Sequence, residues 1–238
     1  MVNLGNLYVQ GGALSFVSGT SITIASGQFR DSTNVNDIVL SSAATIVASA
    51  NGANGLDVGA LANSTLYAVY VIGDSTGFNA TAGLLSTSFS APTLPAGYDM
   101  FRRIGAVLTS GAAAILDFSQ AGRTIWYAAA IATAVTAGAS TTFALVNVSA
   151  MVPSTASSVI LEAVLTADAG ATRTAAFKAS GSSSAAGQVV MSSPASTVTS
   201  TSLVCPCSTI TGTTGVNYLV SNVAAALAVS VFGYVDQL

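Results

Sequence analysis

Histidine is absent from this 238-residue chain, while lysine, glutamate and tryptophan occur once each, as Lys178, Glu162 and Trp126. Without imidazole there is no Ser-His-Asp triad, no Cys-His pair and no histidine-based metal site. Charge is scarce: six basic and nine acidic residues make 6% of the chain and leave a net charge of −3, against about 25% charged residues in ordinary globular proteins. Clustered cations able to neutralise phosphates are missing, which excludes nucleic acid as a partner. No phosphate-cradling glycine loop followed by Lys-Ser/Thr occurs, and no dinucleotide fingerprint. Glu162 has no acidic neighbour in sequence. Asp57, Asp74, Asp99 and Asp117 could meet in space, but no spacing supports a carboxylate pair or a calcium loop. Each reads better as a turn or strand-end residue. The expectation is a protein with no catalytic, cofactor-binding or metal-ligating residues, hence no enzyme.

Cysteine is nearly absent too. Cys205-Pro206-Cys207 leaves one residue between the thiols, and the proline stiffens it, so a bridge within the chain would be strained. Free buried or half-buried thiols are expected, with contact or bridging between subunits as the alternative. The start, MVNLGNLYVQGG, shows no basic region and no long apolar core, so no signal peptide is expected. Thr124 to Leu161 holds no charged residue. It is interrupted by Thr136 to Thr142 and by Pro153-Ser154-Thr155, which predicts two strands and a polar hairpin and no membrane insertion.

What is present is β-forming. Apolar residues make 51% of the chain, in short runs cut by glycine and by Ser/Thr clusters. In residues 1–30, Ser21-Ile22-Thr23-Ile24 alternates with period two; this beginning reads as an arm or as a first strand. Ile38-Val39-Leu40 and Thr45-Ile46-Val47 follow, then Asn51 to Gly55 with two Asn-Gly turn signals. Leu66 to Ile72 is apolar on both faces and predicts a central strand covered on both sides. Asp74-Ser75-Thr76-Gly77 closes it. After Arg123 the strand candidates are Ile125–Val135, Phe143–Val148, Val159–Leu165, Gln188–Met191, Val216–Val220 and Ala226–Val235. Ser192 to Ser202 reads equally as a low-complexity linker or as an edge strand centred on Val198. No amphipathic helix is visible. The prediction is an all-β chain of two consecutive antiparallel β-sandwich-like domains, residues 1–123 and 124–238.

The most informative stretch is Pro92 to Arg123. A proline-framed turn, Pro92 to Gly97, leads into an alternating strand from Asp99 to Thr109. Strict alternation places Met100, Arg102, Ile104, Ala106 and Leu108 on one face, and Phe101, Arg103, Gly105 and Val107 on the other. The two arginines then cannot form one clamp; each is expected to pair with a carboxylate or stack on a tyrosine, with an intersubunit ion pair as the alternative. Trp126 reads as interdomain core, and otherwise as a platform for a sugar ring.

Several segments, in order, carry a family resemblance. They are Asn36 to Leu40, Gly55 to Gly59, Asn63 to Ile72, Leu85 to Ser88, Pro92 to Tyr98 and Arg102 to Val107. Together they resemble a domain of tail-fibre and other virion structural proteins of tailed bacteriophages. Gly233 to Asp236 is similar to a strand ending in the same group. The resemblance implies a non-enzymatic structural protein on the virion surface, at the tail or the capsid. It implies a homo-oligomer, commonly a trimer, with other virion proteins as partners and a role in assembly and host attachment. A capsid-decorating or head-fibre protein and a carbohydrate-binding adhesin that contacts a host-surface glycan are the alternatives. A surface built of Ser, Thr, Asn, Gly and Ala agrees with packing against copies of itself.

Overall fold

The computed structural model describes residues 8–131 and 133–238, and among these it contains strands, turns and no helix. The chain is all-β and sandwich-like, its ladders almost entirely antiparallel. It divides into two compact units, Met1–Arg123 with Leu238, and Thr124–Gln237.

In the first unit, β1 (Val9–Gly11), β2 (Leu14–Ser18), β3 (Ser21–Ile24) and β4 (Gly27–Arg30) come before β5 (Asp37–Leu40), β6 (Ala44–Val47) and β7 (Gly55–Leu56). Then come β8 (Leu66–Gly73), β9 (Ala82–Ser86), β10 (Met100–Leu108) and β11 (Phe118–Ala121). The order β10-β8-β9-β7 makes the principal sheet, while β1-β4-β5 and β2-β3-β6 make two smaller ones. Residues 8–30 are thus woven into sheets as four strands and do not form an arm; Leu4 and Leu7 lie outside the described residues.

β8 is central because both its faces are covered. Seven of its eight residues are buried. Val69 and Val71 look toward the smaller sheets, where a Cβ on the neighbouring Gly83 would come within 2.6 Å of Ile46 and 2.8 Å of Ile24. Ala68, Tyr70 and Ile72 look the other way, together with Ala82 and Leu84, under Phe89, Leu94, Tyr98 and Phe101. Three of those four covering side chains come from the Pro92-framed connection and the residues flanking it. The loop is therefore a lid on the sheet.

β10 carries a β-bulge. Its pairing with β8 runs Met100↔Gly73 to Arg103↔Tyr70, then resumes at Gly105↔Val69. One extra residue is absorbed at Ile104, which reverses the alternation beyond it. Arg102 and Arg103 do face opposite sides. Beyond the bulge, however, Gly105 and Val107 join the side of Arg102, and Ala106 and Leu108 join that of Arg103, correcting the strict alternation expected. Gly105 is needed there, since a Cβ would meet Leu14 Cδ1 at 2.8 Å.

The second unit contains β12 (Thr124–Tyr127), β13 (Thr133–Gly138), β14 (Ala144–Asn147), β15 (Ala156–Thr166) and β16 (Arg173–Ala179). It continues with β17 (Val189–Ser193), β18 (Val198–Pro206), β19 (Ser208–Ile210), β20 (Thr213–Val220) and β21 (Ala226–Asp236). One sheet has the order β12-β21-β15-β18 with β13 also on β21; the other has β14-β20-β16-β17 with β19 also on β20. Leu227, Val229 and Val231 alternate inward along β21, opposite Leu165, Ala163 and Leu161 of β15, all of them buried. Val146, Phe177, Val216 and Val220 are among the buried residues of the facing sheet.

Two expectations are corrected. Ile125–Val135 is not one strand: β12 and β13 are separate and pair with different ends of β21. The segment after it is not a hairpin, because β13 joins one sheet and β14 the other. Ala137, at φ 52°, lies where the chain leaves the first sheet. Of the two readings of Ser192–Ser202, the edge strand holds: β18 forms the sheet edge across nine residues paired with β15. β16 also went unmarked in sequence, since its alanine-rich positions lack the branched and aromatic residues that mark a strand.

Candidate functional site

The arginine pair that the sequence singled out, Arg102 and Arg103, lies in the first unit beside the lid over β8. Tyr70 is buried, donates its hydroxyl to Ser88 O at 2.8 Å and meets Phe101 edge-on, with ring centroids 5.8 Å apart. Burial pushes its hydroxyl up to about 12 despite the nearby Arg103 cation. The Arg103 guanidinium lies 5.9 Å from the Phe89 ring centroid. These side chains border a cavity of about 200 Å³ lined by Ser32, Tyr70, Phe89, Phe101, Arg102 and Arg103. Burial lowers the pKa of Arg102, and repulsion from Arg103 and Arg123 lowers it further. Ser90 and the C-terminal Leu238 complete the lining of this cavity.

The turn between β8 and β9 has the opposite sign. Asp74 Oδ1 accepts from Thr76 N and Thr76 Oγ1, and its Oδ2 accepts from Asn79 N and Asn79 Nδ2, all between 2.6 and 2.9 Å. Asp99, just before β10, accepts from Ser75 N at 2.8 Å and from Ser75 Oγ. Asn79 Nδ2 also donates to Gly97 O. Hydrogen bonds from Thr76 Oγ1 and the amides of Asn79 and Thr76 hold Asp74 at about 2. A carboxyl so acidic stays ionised and is a poor proton donor or acceptor near neutrality. Phe78 stands at the tip of this braced turn, 89% exposed.

The other aspartates are turn residues. Asp31, buried and missed in the sequence, accepts from Thr33 Oγ1 and from the amides of Val35 and Asn36. Asn34 follows with φ 60°, which asparagine tolerates better than most residues. Asp57 accepts from Thr93 N and ties the lid to the β7 end, whereas Asp117 is exposed. Among the described residues no three acidic or cysteine side chains converge as a metal site would need.

In the second unit the singled-out residues stay apart. Glu162 accepts from Ser200 Oγ. Lys178 is buried, donates to Ser184 O at 2.5 Å and lies 4.0 Å from the Phe143 ring centroid. Cys205, on β18, and Cys207, just past its end, are free and buried, with exposed Pro206 between them. Burial raises their thiols to about 12 and about 11. Trp126 is not core: it is 40% exposed, between buried Ile125 and Tyr127. Among the described residues no helix is long and apolar enough to cross a membrane. Comparison with protein-family models, curated proteins and solved structures finds no match in any of the three.

Proposed function

We propose that the chain is a structural subunit of a bacteriophage virion, a tail-fibre or tail-appendage protein that works by assembling with copies of itself. One observation carries this reading: outward strand positions of the second unit are apolar where a soluble monomer would place charge. Trp126, Leu145, Val190, Val198 and Val204 are between 40% and 62% exposed, in a chain with 6% charged residues. Surfaces of this kind gain stability by being buried, and a standard interface covers roughly 800 Å² per partner. The segments that resemble phage fibre domains agree with it, since Leu66 to Ile72, Leu85 to Ser88 and Pro92 to Tyr98 build the core sheet and its lid. The family adds a trimer, a place on the virion surface and no catalytic step.

Light-scattering mass at micromolar concentration tests the assembly. A trimer or another closed oligomer is expected, and a stable monomer overturns the reading. Imaging of intact particles then separates a tail appendage from the alternative, a capsid-decorating or head-fibre protein. The exposure of Trp126 favours one further role, stacking on a host-surface glycan. Unchanged host adsorption after Trp126→Ala would remove that role and leave the assembly untouched.

A further inference from the structure

β18 leaves one edge of its sheet open, and its residue order fits a second copy of itself. We propose that two chains pair along this edge, β18 to β18 and antiparallel, about a twofold axis at Thr201. This rests on the assembly reading above and names one of its contacts.

The direction of each backbone group follows from the register. Thr197 O accepts from Ala167 N, and Cys207 N donates to Ser157 O. Between those two bonds the pairing runs from Thr166↔Val198 to Ser158↔Pro206 without a shift. Bonded residues alternate in an antiparallel ladder, so Thr199, Thr201, Leu203 and Cys205 also bond to β15. Val198, Ser200, Ser202 and Val204 point their N–H and C=O groups the other way. Among the described residues no other strand pairs with that edge.

Edge strands are commonly shielded by a charge, a proline or a bulge. The run Val198-Thr199-Ser200-Thr201-Ser202-Leu203-Val204 has none of these. Proline comes only at Pro206, beyond the last outward amide.

The order of residues selects the partner. An antiparallel copy turned about Thr201 sets Ser200 against Ser202 and Val198 against Val204, hydroxyl to hydroxyl and valine to valine. These are the same residues whose backbone groups point outward, so each of their amides meets a carbonyl of the neighbour. Moving the axis to Ser202 sets Val198 against Pro206, which has no N–H to give. Moving it to Ser200 sets Val204 against Ser196, which lies outside the strand at φ 60°. Thr201 is the one centre of the three that uses every outward amide. It also covers Val198 and Val204, 62% and 53% exposed in the single chain. A twofold contact is isologous and closes with two copies. Its product is a dimer, or an even-numbered assembly where other contacts join dimers.

The test uses the full chain as unsubstituted, Ser202→Pro, Thr201→Cys and Thr199→Cys proteins. Mass is measured against concentration, circular dichroism checks β structure, and non-reducing electrophoresis after mild oxidation reads cross-links. Proline is tolerated in an edge strand where the N–H faces away from the sheet, so Ser202→Pro should keep its β spectrum. Losing the Ser202 amides on both sides of the axis is expected to weaken association about tenfold or more. Thr201→Cys is expected to give a covalent dimer, because facing Cα atoms in a non-bonded pair lie about 4.5 Å apart, within disulfide reach. Position 199 faces Leu203 of the neighbour, so Thr199→Cys is expected to give none. An oligomer whose mass Ser202→Pro leaves unmoved overturns this contact and leaves the assembly reading standing. So does an unsubstituted trimer, which contains no twofold. A cross-link that is missing at Thr201, or equally strong at Thr199, overturns the twofold and gives the edge to another segment. If Ser202→Pro loses its β spectrum, the two cysteine variants decide alone. A monomeric unsubstituted chain overturns both the contact and the assembly reading.

Discussion

The two units solve the same problem, burying strands in a charge-poor chain, by different means. The first keeps a narrow central sheet and closes one face with an irregular lid, so its core is aromatic: Tyr70, Phe89, Tyr98 and Phe101. Its carboxylates are spent on backbone amides, as at Asp31 and Asp74. The second unit stacks two sheets whose inward residues are mostly aliphatic, with Phe177 and Tyr234 fully buried among them, and some of its hydroxyls bond to one another, as Ser193 to Thr197 and Thr199. A lid needs side chains that reach and turns that are pinned. Stacked sheets need only regular alternation.

The strongest way to break this contrast is at Tyr70. Tyr70→Ala removes the ring under the lid and is expected to cost about 3–5 kcal/mol, in the range for large aromatic deletions. Chemical denaturation measures it; a cost below that of the half-exposed Trp126→Ala would deny the lid its role. Next comes Gly83→Val, which forces side-chain atoms where Ile46 and Ile24 already lie within 2.8 Å of a Cβ. Overpacking of this kind costs about 1–3 kcal/mol. Gly59→Ala meets nothing within 4 Å and strains only its φ of 77°, so it should cost less, about 1 kcal/mol.

Acid sharpens the comparison. Burial acts to raise Asp31, but hydrogen bonds from Thr33 Oγ1 and the amides of Asn36 and Val35, with Arg30 nearby, outweigh it and leave the carboxyl below its usual value. A group depressed in the folded state contributes stability above the unfolded pKa, near about 4, and loses it as pH falls through the folded value. Asp31→Asn should therefore cost about 1–3 kcal/mol at neutral pH. It should also flatten the acid limb of a denaturation-midpoint profile. In the second unit Asp168 is held at about 2, chiefly by its hydrogen bond from Arg173. That pair is partly exposed, so salt should weaken it where it leaves the enclosed Asp31 turn unaffected.

The same contrast explains what was legible. Ser21–Ile24, Leu66–Ile72 and Ala226–Val235 were readable because alternation or a doubly apolar run marks a strand directly. The bulge at Ile104 was not, because nothing in FRRIGAV distinguishes an extra residue from a regular one. Arg173–Ala179 was hidden by alanine, whose small side chain suits a close sheet-to-sheet approach yet scores for helix. The order of strands in the second unit joins β15 to β18 and β21 over long separations, which local pattern does not encode. The lid was half legible: Pro92 to Gly97 announced a turn, but not that Leu94 and Tyr98 would cover β8. Phe78 carries no local signal of its own; its exposure follows from a turn braced by hydrogen bonds that Asp74 and Asp99 accept.

The smallest effect expected lies along β18, where inward and outward positions alternate within one strand. Cys205 and Cys207 face inward with thiols raised by burial, so the reactive thiolate is scarce near neutrality. A thiol reagent should label neither in the folded protein and both after unfolding; rapid labelling of the folded chain would contradict the inward placement. Val204, between Leu203 and Cys205 and 53% exposed, should tolerate Val204→Ser within about 0.5 kcal/mol, as surface positions do. Yet if outward valines of this sheet edge are covered by neighbouring copies, the same substitution should weaken association while leaving the folding of each chain unchanged. Stability and assembly would then be read from opposite faces of one strand, at the neighbouring residues Val204 and Cys205.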